Sequence, residues 1–151
     1  MTDYNLLAEQ IKALAEDEPN YIPVLSNASA IIFDALPDLN WAGFYLMNNG
    51  SLLLGPFQGK VACIRIALGK GVCGTAAGND ETLVVPNVHE FPGHIACDSA
   101  SNSEIVVPIH KEGKIVGVLD IDSPKLDRFS QDDKLGLEKF VQMLETVISF
   151  D

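Results

Sequence analysis

Apolar residues recur at helical spacing in the first third of the chain, at alternate positions through most of the middle, and at helical spacing again at the C-terminal end. Leu6, Leu7, Ile11 and Leu14 predict a first helix that ends near Asp17, ahead of Pro19. A second is expected from near Pro19, with Pro23 tolerable in its first turns, carrying Ile22, Leu25, Ala28, Ile31 and Ile32 toward Pro37. From Asn40 to Met47 the period falls to two, and Asn49-Gly50 joins this run to Ser51–Phe57 as a hairpin. Val61 to Ile66 reads as a further strand, the small residues from Gly69 to Gly78 as a short, tightly packed helix, and Thr82 to Val85 as a strand stopped by Pro86. Residues 86–103 keep no period, and a loop of that length inside a compact domain usually carries function. Strands from Glu104 to His110 and from Lys114 to Asp122 follow, then a helix from Ser130 to Ser149, with Ser130 able to cap it ahead of Asp132 and Asp133. The expected architecture is one α+β domain over residues 1–151, a central antiparallel sheet flanked by helices. Its N-terminal helices fall at about 3–36, the sheet and its loop at about 40–122, and the last helix at about 130–149.

The last hairpin sets its own register, because a slip of one residue would turn its apolar set outward. Ile105, Val107 and Ile109 must share a face with Ile115, Gly117, Leu119 and Ile121. A three-residue loop, Lys111-Glu112-Gly113, satisfies that match and sets Glu104 opposite Asp120. Asp122 lies two residues further along the same face, so three carboxylates gather at one end of the sheet. They form either a solvated acidic rim or a site that binds a cation such as an amino-acid ammonium, or that keeps one carboxyl protonated as a general acid. In the first strand, Trp41, Gly43, Tyr45 and Met47 share a face opposite Ala42, Phe44 and Leu46. The glycine between two large aromatics leaves room for ordinary core packing or for a slot that takes a small methyl-bearing or sulfur-containing ligand.

Charge and cysteine usage narrow the classes. Acidic residues outnumber basic ones by 21 to 10, a formal net charge of -11, so the clustered cations that nucleic acid requires are missing. Met1-Thr2-Asp3-Tyr4 opens without a basic region leading into an apolar run, and no stretch approaches the ~18 apolar residues that span a bilayer, so neither export nor membrane insertion is expected. Cys63, Cys73 and Cys97 make an odd count with no Cys-x-x-Cys pair, which predicts a cytoplasmic protein with reduced thiols at rest. Cys97, in the long loop beside His94, is the candidate nucleophile. Cys63 alternates with Val61 and Arg65, away from Ala62, Ile64 and Ile66, and so is not committed to the core, whereas Cys73 reads as a small buried hydrophobe. His89, His94 and Cys97 are possible zinc ligands, but their spacing matches no strong pattern, and no metal is expected.

Several stretches together carry a resemblance: Asn-Trp-Ala-Gly-Phe-Tyr from Asn40, Leu-Gly-Pro-Phe-Gln-Gly-Lys from Leu54, Ala-Cys-Ile-Arg-Ile from Ala62 and Gly-Val-Cys-Gly-Thr-Ala from Gly71. Gly-His-Ile-Ala-Cys-Asp-Ser-Ala-Ser-Asn-Ser-Glu from Gly93 and Gly-Val-Leu-Asp-Ile-Asp-Ser from Gly117 complete them. With these the chain resembles the GAF-domain enzymes that reduce the R epimer of free methionine sulfoxide. The last stretch alone is common among GAF domains that only sense ligands, and a sensor is the alternative; its combination with the Cys97 loop is specific. A sensor is normally tethered to an output domain, for which 151 residues leave no room. One position departs from the family pattern: Asn87 stands where an acidic residue is frequent.

The resemblance implies that Cys97 attacks the sulfoxide sulfur and that the resulting sulfenic acid is captured as a disulfide, which thioredoxin reduces with no bound cofactor. Cys63 would be the resolving residue and Cys73 an auxiliary thiol. Trp41 and Tyr45 would line the slot for the methyl end, while Glu104, Asp120 and Asp122 hold the ammonium and help to protonate the sulfoxide oxygen. The same resemblance implies a homodimer.

Overall fold

The computed structural model describes residues 1–94 and 99–151. Among these, antiparallel strands β1 (Trp41–Asn48), β2 (Ser51–Gly59), β3 (Arg65–Ala67), β4 (Leu83–Val85), β5 (Ser103–Lys111) and β6 (Lys114–Ser123) form one sheet in the order β3-β2-β1-β6-β5-β4. The helices are α1 (Tyr4–Asp17), α2 (Tyr21–Ala35), α3 (Gly71–Asn79) and α4 (Gln131–Val147). None is long and apolar enough to cross a membrane.

The helix ends follow from local chemistry. Asp3 accepts from the Leu6 N–H to cap α1, and α2 begins at Tyr21, just past Pro19, where the Asn20 side chain accepts from the Ile22 N–H. Pro23 then falls in the first turn, where its missing N–H costs nothing. At α4 the predicted cap is part of a reciprocal box, with Ser130 bonding the Asp133 N–H and Asp133 bonding the Ser130 N–H.

Alternation along the strands divides the sheet into two apolar faces. Ala42, Phe44, Ile105, Val107, Ile109, Leu119 and Ile121 pack with Ile11, Leu25, Ile32, Phe140 and Leu144 from α1, α2 and α4. Trp41, Tyr45, Leu52, Val106 and Val118 project from the opposite face onto Val72, Cys73, Ala76 and Ala77 of α3. The functional candidates lie on this second face.

Two expectations require correction. The strand expected over 61–66 is confined to Arg65–Ala67, and Val61 and Ile64 are both strongly exposed. The preceding segment keeps one backbone bond to β2, from the Leu54 N–H to the Ile64 carbonyl, and is otherwise held by side chains: Trp41 Nε1 donates to the Lys60 carbonyl at 3.1 Å and the Tyr45 hydroxyl to the Cys63 carbonyl at 2.8 Å. In the β5–β6 hairpin the turn is the two-residue Glu112-Gly113, both with positive φ (54° and 76°), which is the geometry that favours glycine at its second position. A register shift between Ile109 and His110 adds one residue on β6, so Glu104 faces Asp122, and Asp120 faces Val106. Beyond that shift the observed and expected registers differ by two residues, so Ile105, Val107, Ile109, Leu119 and Ile121 keep the expected face; between the shift and the turn they differ by one, and Val116 rather than Ile115 packs against that core.

Candidate functional site

The carboxylates stand in two adjacent rows across the sheet. Trp41 of β1, Asp122 of β6 and Glu104 of β5 are cross-strand neighbours in one row; Phe57, Gly43, Asp120 and Val106 make the next. Glu104 and Asp120 are 7% and 6% exposed and Asp122 is half-buried, so the solvated rim is not what the chain builds. Together with Trp41, Tyr45 and Cys73 they line a pocket between the sheet and α3. Five of the sequence-predicted substrate residues and one of the three cysteines therefore converge. Cys63, half-buried, packs against the same apolar cluster from the segment before β3, and its carbonyl is tied to Tyr45. Cys97 lies outside the described residues.

The aromatic slot has a different construction from a simple gap. A Cβ on Gly43 would lie 2.2 Å from Phe57 Cβ and 2.9 Å from the Pro56 carbonyl oxygen, so the missing side chain admits β2 rather than leaving a void. Phe57 then stacks on Trp41 at 5.1 Å, and Trp41 on Tyr45 at 5.9 Å. The result is a stiff aromatic wall beside the carboxylates.

Burial controls the protonation of this group. The Cys73 Sγ lies 4.0 Å from Glu104 Oε2 as a thiol donor, and burial, followed by the repulsion of Asp120, Glu104 and Asp122, pushes that thiol well up. Burial also raises Glu104, reinforced by the neighbouring Asp120 and Asp122. Asp120 is raised by burial against the opposing pull of its hydrogen-bonding neighbours. The buried cluster therefore holds at least one proton above the ordinary carboxylate range, which is what a general acid needs. Asp120 Oδ1 is buried with no hydrogen-bond partner among the described residues. Burial, Asp120, Cys73, Asp122 and Glu104 all disfavour ionisation of Tyr45, which stays a neutral donor.

Sequence reasoning missed other lining residues, among them Ala62, Lys70 and Ser101, and His94, which it set beside Cys97, lines the pocket as well. Lys70 is the only lysine or arginine of the pocket wall among the described residues. Ser101 belongs to the Ser-Ala-Ser-Asn-Ser run that reads as loop; it is 6% exposed and accepts from Asn40 Nδ2 at 3.0 Å, which fastens the end of the long loop to the start of β1. Asn102 extends the anchor through its contact with His89 Nε2 (2.8 Å) and its donation to the Pro124 carbonyl (2.7 Å). Asn87 accepts from the His89 N–H at 3.0 Å, a capping role that a carboxylate would fill equally well. Burial and the nearby His89 lower His94, partly offset by Asp120. Of the three possible zinc ligands whose spacing matches no strong pattern, His89 and His94 meet edge to face with centroids 6.3 Å apart, and Cys97 lies outside the described residues.

An antiparallel six-stranded sheet with helices on both faces and a recess under α3 defines a class, and the sequence model of the GAF domain matches residues 23–148. The chain is 52% identical to protein YtsP of Bacillus subtilis, over 97% of this chain and 91% of that protein. It is 49% identical to the free methionine-R-sulfoxide reductase of Escherichia coli, over 97% and 88% of the two chains. Among solved structures, fRMsr of Staphylococcus aureus in complex with its substrate superposes with a TM-score of 0.93 at 53% identity, covering 99% of this chain and 97% of that one. The chain thus belongs to the GAF-domain family of free methionine-R-sulfoxide reductases.

Proposed function

We propose that this chain is an oxidoreductase that reduces free L-methionine (R)-S-oxide to L-methionine. The observation that carries the reading is the convergence of a buried, proton-holding carboxylate cluster with an aromatic wall in one pocket. Kinship at about half identity with a relative named for this activity supports it over a non-catalytic sensor. In the pocket, the carboxylates would take the substrate's ammonium, and Trp41 and Tyr45 its methylsulfinyl end.

The chemistry proposed for the cysteines balances without a bound cofactor. The Cys97 thiolate attacks the sulfoxide sulfur, a carboxyl of the cluster protonates the oxygen, and methionine leaves as that oxygen passes to Cys97 as a sulfenic acid. The Cys63 thiol then attacks the sulfenic acid, forming a disulfide and releasing water, and an external dithiol protein of the thioredoxin class restores both thiols. Cys73, whose thiol is held protonated by burial, serves as an auxiliary. We place the enzyme in the cytoplasm, where thioredoxin is available, and assign it a homodimeric state.

Turnover is the test. After exhaustive chelation, purified protein supplied with a dithiol should convert the R epimer of free methionine sulfoxide, and should convert the S epimer and peptide-bound sulfoxide far more slowly. Binding of methionine sulfoxide without methionine release would make the chain a sensor, and activity lost on chelation would make it a metalloenzyme. Sedimentation of the same sample reads the assembly state.

A further inference from the structure

Cys73, Glu104 and Asp120 each offer a donor atom, and these atoms all lie within 4.8 Å of one another. A tetrahedral zinc ion, with Zn–S near 2.3 Å and Zn–O near 2.0–2.2 Å, requires donor separations of about 3.3–3.7 Å. The Cys73 to Glu104 separation of 4.0 Å is within about 0.5 Å of that distance. An independent feature points the same way: Asp120, 6% exposed and in the pocket wall, has one carboxylate oxygen, Oδ1, with no hydrogen-bond partner among the described residues.

We propose that, when its thiols are reduced, the pocket binds one thiophilic divalent cation of the zinc class through Cys73, Glu104 and Asp120, and that this cation excludes the substrate. The second half rests on the placement of the substrate ammonium proposed above. The sulfur ligand selects zinc, cadmium or cobalt over magnesium and calcium, which prefer six or more oxygens. Coordination releases the Cys73 proton to solvent and neutralises a cluster whose like charges otherwise repel. The fourth position falls to water or to the His94 imidazole, which lines the same pocket. Lys70, also in the wall, is the one lysine or arginine there among the described residues, and its charge opposes entry. The cation occupies the position proposed for the ammonium and blocks turnover.

Cobalt(II) absorption reads the site without turnover. The full chain, reduced with a phosphine that is then removed, should bind one cobalt ion with a thiolate-to-cobalt charge-transfer band, and zinc should displace it. Cys73→Ser should abolish the band and Cys63→Ser should keep it; circular dichroism checks that each variant is folded. Asp120→Asn, which preserves the thiol, should weaken cobalt binding by at least about 100-fold, since even residues outside the ligand shell change metal affinity 10- to 100-fold. Absence of the band in the reduced protein, its persistence in Cys73→Ser, or unchanged affinity in Asp120→Asn would each overturn the site. Free methionine added to the cobalt-loaded protein should displace the metal. A Cys73-dependent band that free methionine leaves intact keeps the metal site and removes the ammonium from these carboxylates.

Discussion

The hydroxyl of Tyr45 donates a 2.8 Å hydrogen bond to the backbone carbonyl of Cys63, so the pocket's aromatic wall also fixes the segment that carries a cysteine of the proposed cycle. Tyr45→Phe keeps the ring against Trp41 and removes only this bond. Stability should fall by about 0.5–1.5 kcal/mol, the net worth of one hydrogen bond. Rapid-quench measurement of a single turnover should show methionine release unchanged and disulfide formation slowed. Equal slowing of both steps would place Tyr45 in substrate binding alone.

The cysteine roles separate in the same experiment. Cys97→Ser should abolish methionine release with a native circular dichroism spectrum, because serine forms no sulfenic acid. Cys63→Ser should release one equivalent of methionine per site and then stall with dithiol proteins. In the wild type, one equivalent of substrate without reductant should link Cys97 to Cys63 on peptide mapping. A dominant link from Cys97 to Cys73 would move the resolving role, and near-normal turnover in Cys97→Ser would remove that residue from the mechanism.

The sequence pattern conveys the element types, the two sheet faces and the clustering of Glu104, Asp120 and Asp122, because each depends on period and parity alone. Parity also limits the reading: it fixes which side chains share a face but is blind to a shift of two, so the turn at Glu112-Gly113 and the shift at His110 were hidden. The over-long third strand has a similar origin. The expected strand starts at Val61, yet the Lys60 and Cys63 carbonyls are taken by Trp41 and Tyr45, long-range partners that no local pattern contains. The exposed Ile64, on the face assigned to the core, is where alternation fails. Lys70 and Ser101 reach the pocket from a helix cap and a loop, and loop residues give no period from which to infer facing.

Gly43→Ala tests how tightly β2 seats against β1. The new Cβ would fall 2.2 Å from Phe57 Cβ and 2.7 Å from Phe57 Cα, so backbone has to move, unlike the end of a flexible side chain. A loss of about 1–3 kcal/mol is expected, the cost of overpacking. Since Phe57 stacks on Trp41 at 5.1 Å, Trp41 fluorescence should shift and KM should rise. A variant as stable as the parent with unchanged fluorescence would show that β2 yields freely.

His110 gives a pH signature away from the pocket. Its Nε2 lies 2.6 Å from Asp80 Oδ1 and its Nδ1 3.3 Å from Glu145 Oε2, joining the end of α3 to α4 through β5. Burial lowers its proton affinity, but the two carboxylates outweigh that and leave it above the ordinary 6.5. A raised histidine binds protons more tightly in the folded state, so its contribution is full below 6.5 and disappears as pH rises through the higher folded value. The ring is 38% exposed, which limits the effect to a few tenths to about 1 kcal/mol. His110→Gln should flatten this part of the stability profile measured by denaturant titration. An unchanged slope above neutral pH would remove His110 as its source.

The carboxylate cluster should make stability and activity move in opposite directions. Burial, with mutual repulsion, raises Glu104 and Asp120 above their ordinary values of 4.5 and 3.8. A raised acid also binds protons more tightly when folded, so its contribution is complete below those ordinary values and is lost as pH climbs through the raised ones. Asp120→Asn, Glu104→Gln or Asp122→Asn keeps the shape and lowers the negative charge. At neutral pH each variant should be as stable as the parent or more so, by a few tenths to about 1 kcal/mol, the scale of cross-strand charge pairs. Asp120→Asn and Glu104→Gln should also weaken the decline in stability between acid and neutral pH. Activity should fall in all three, by about 100-fold or more where the proton donor is lost, since general acid assistance is worth at least that. Thermal melts without substrate, set beside initial rates on free methionine sulfoxide, decide it. Unchanged rates in all three variants would leave the cluster a buried charge with no part in turnover, and a marked loss of stability at neutral pH would mean that the carboxylates hold the fold together rather than strain it.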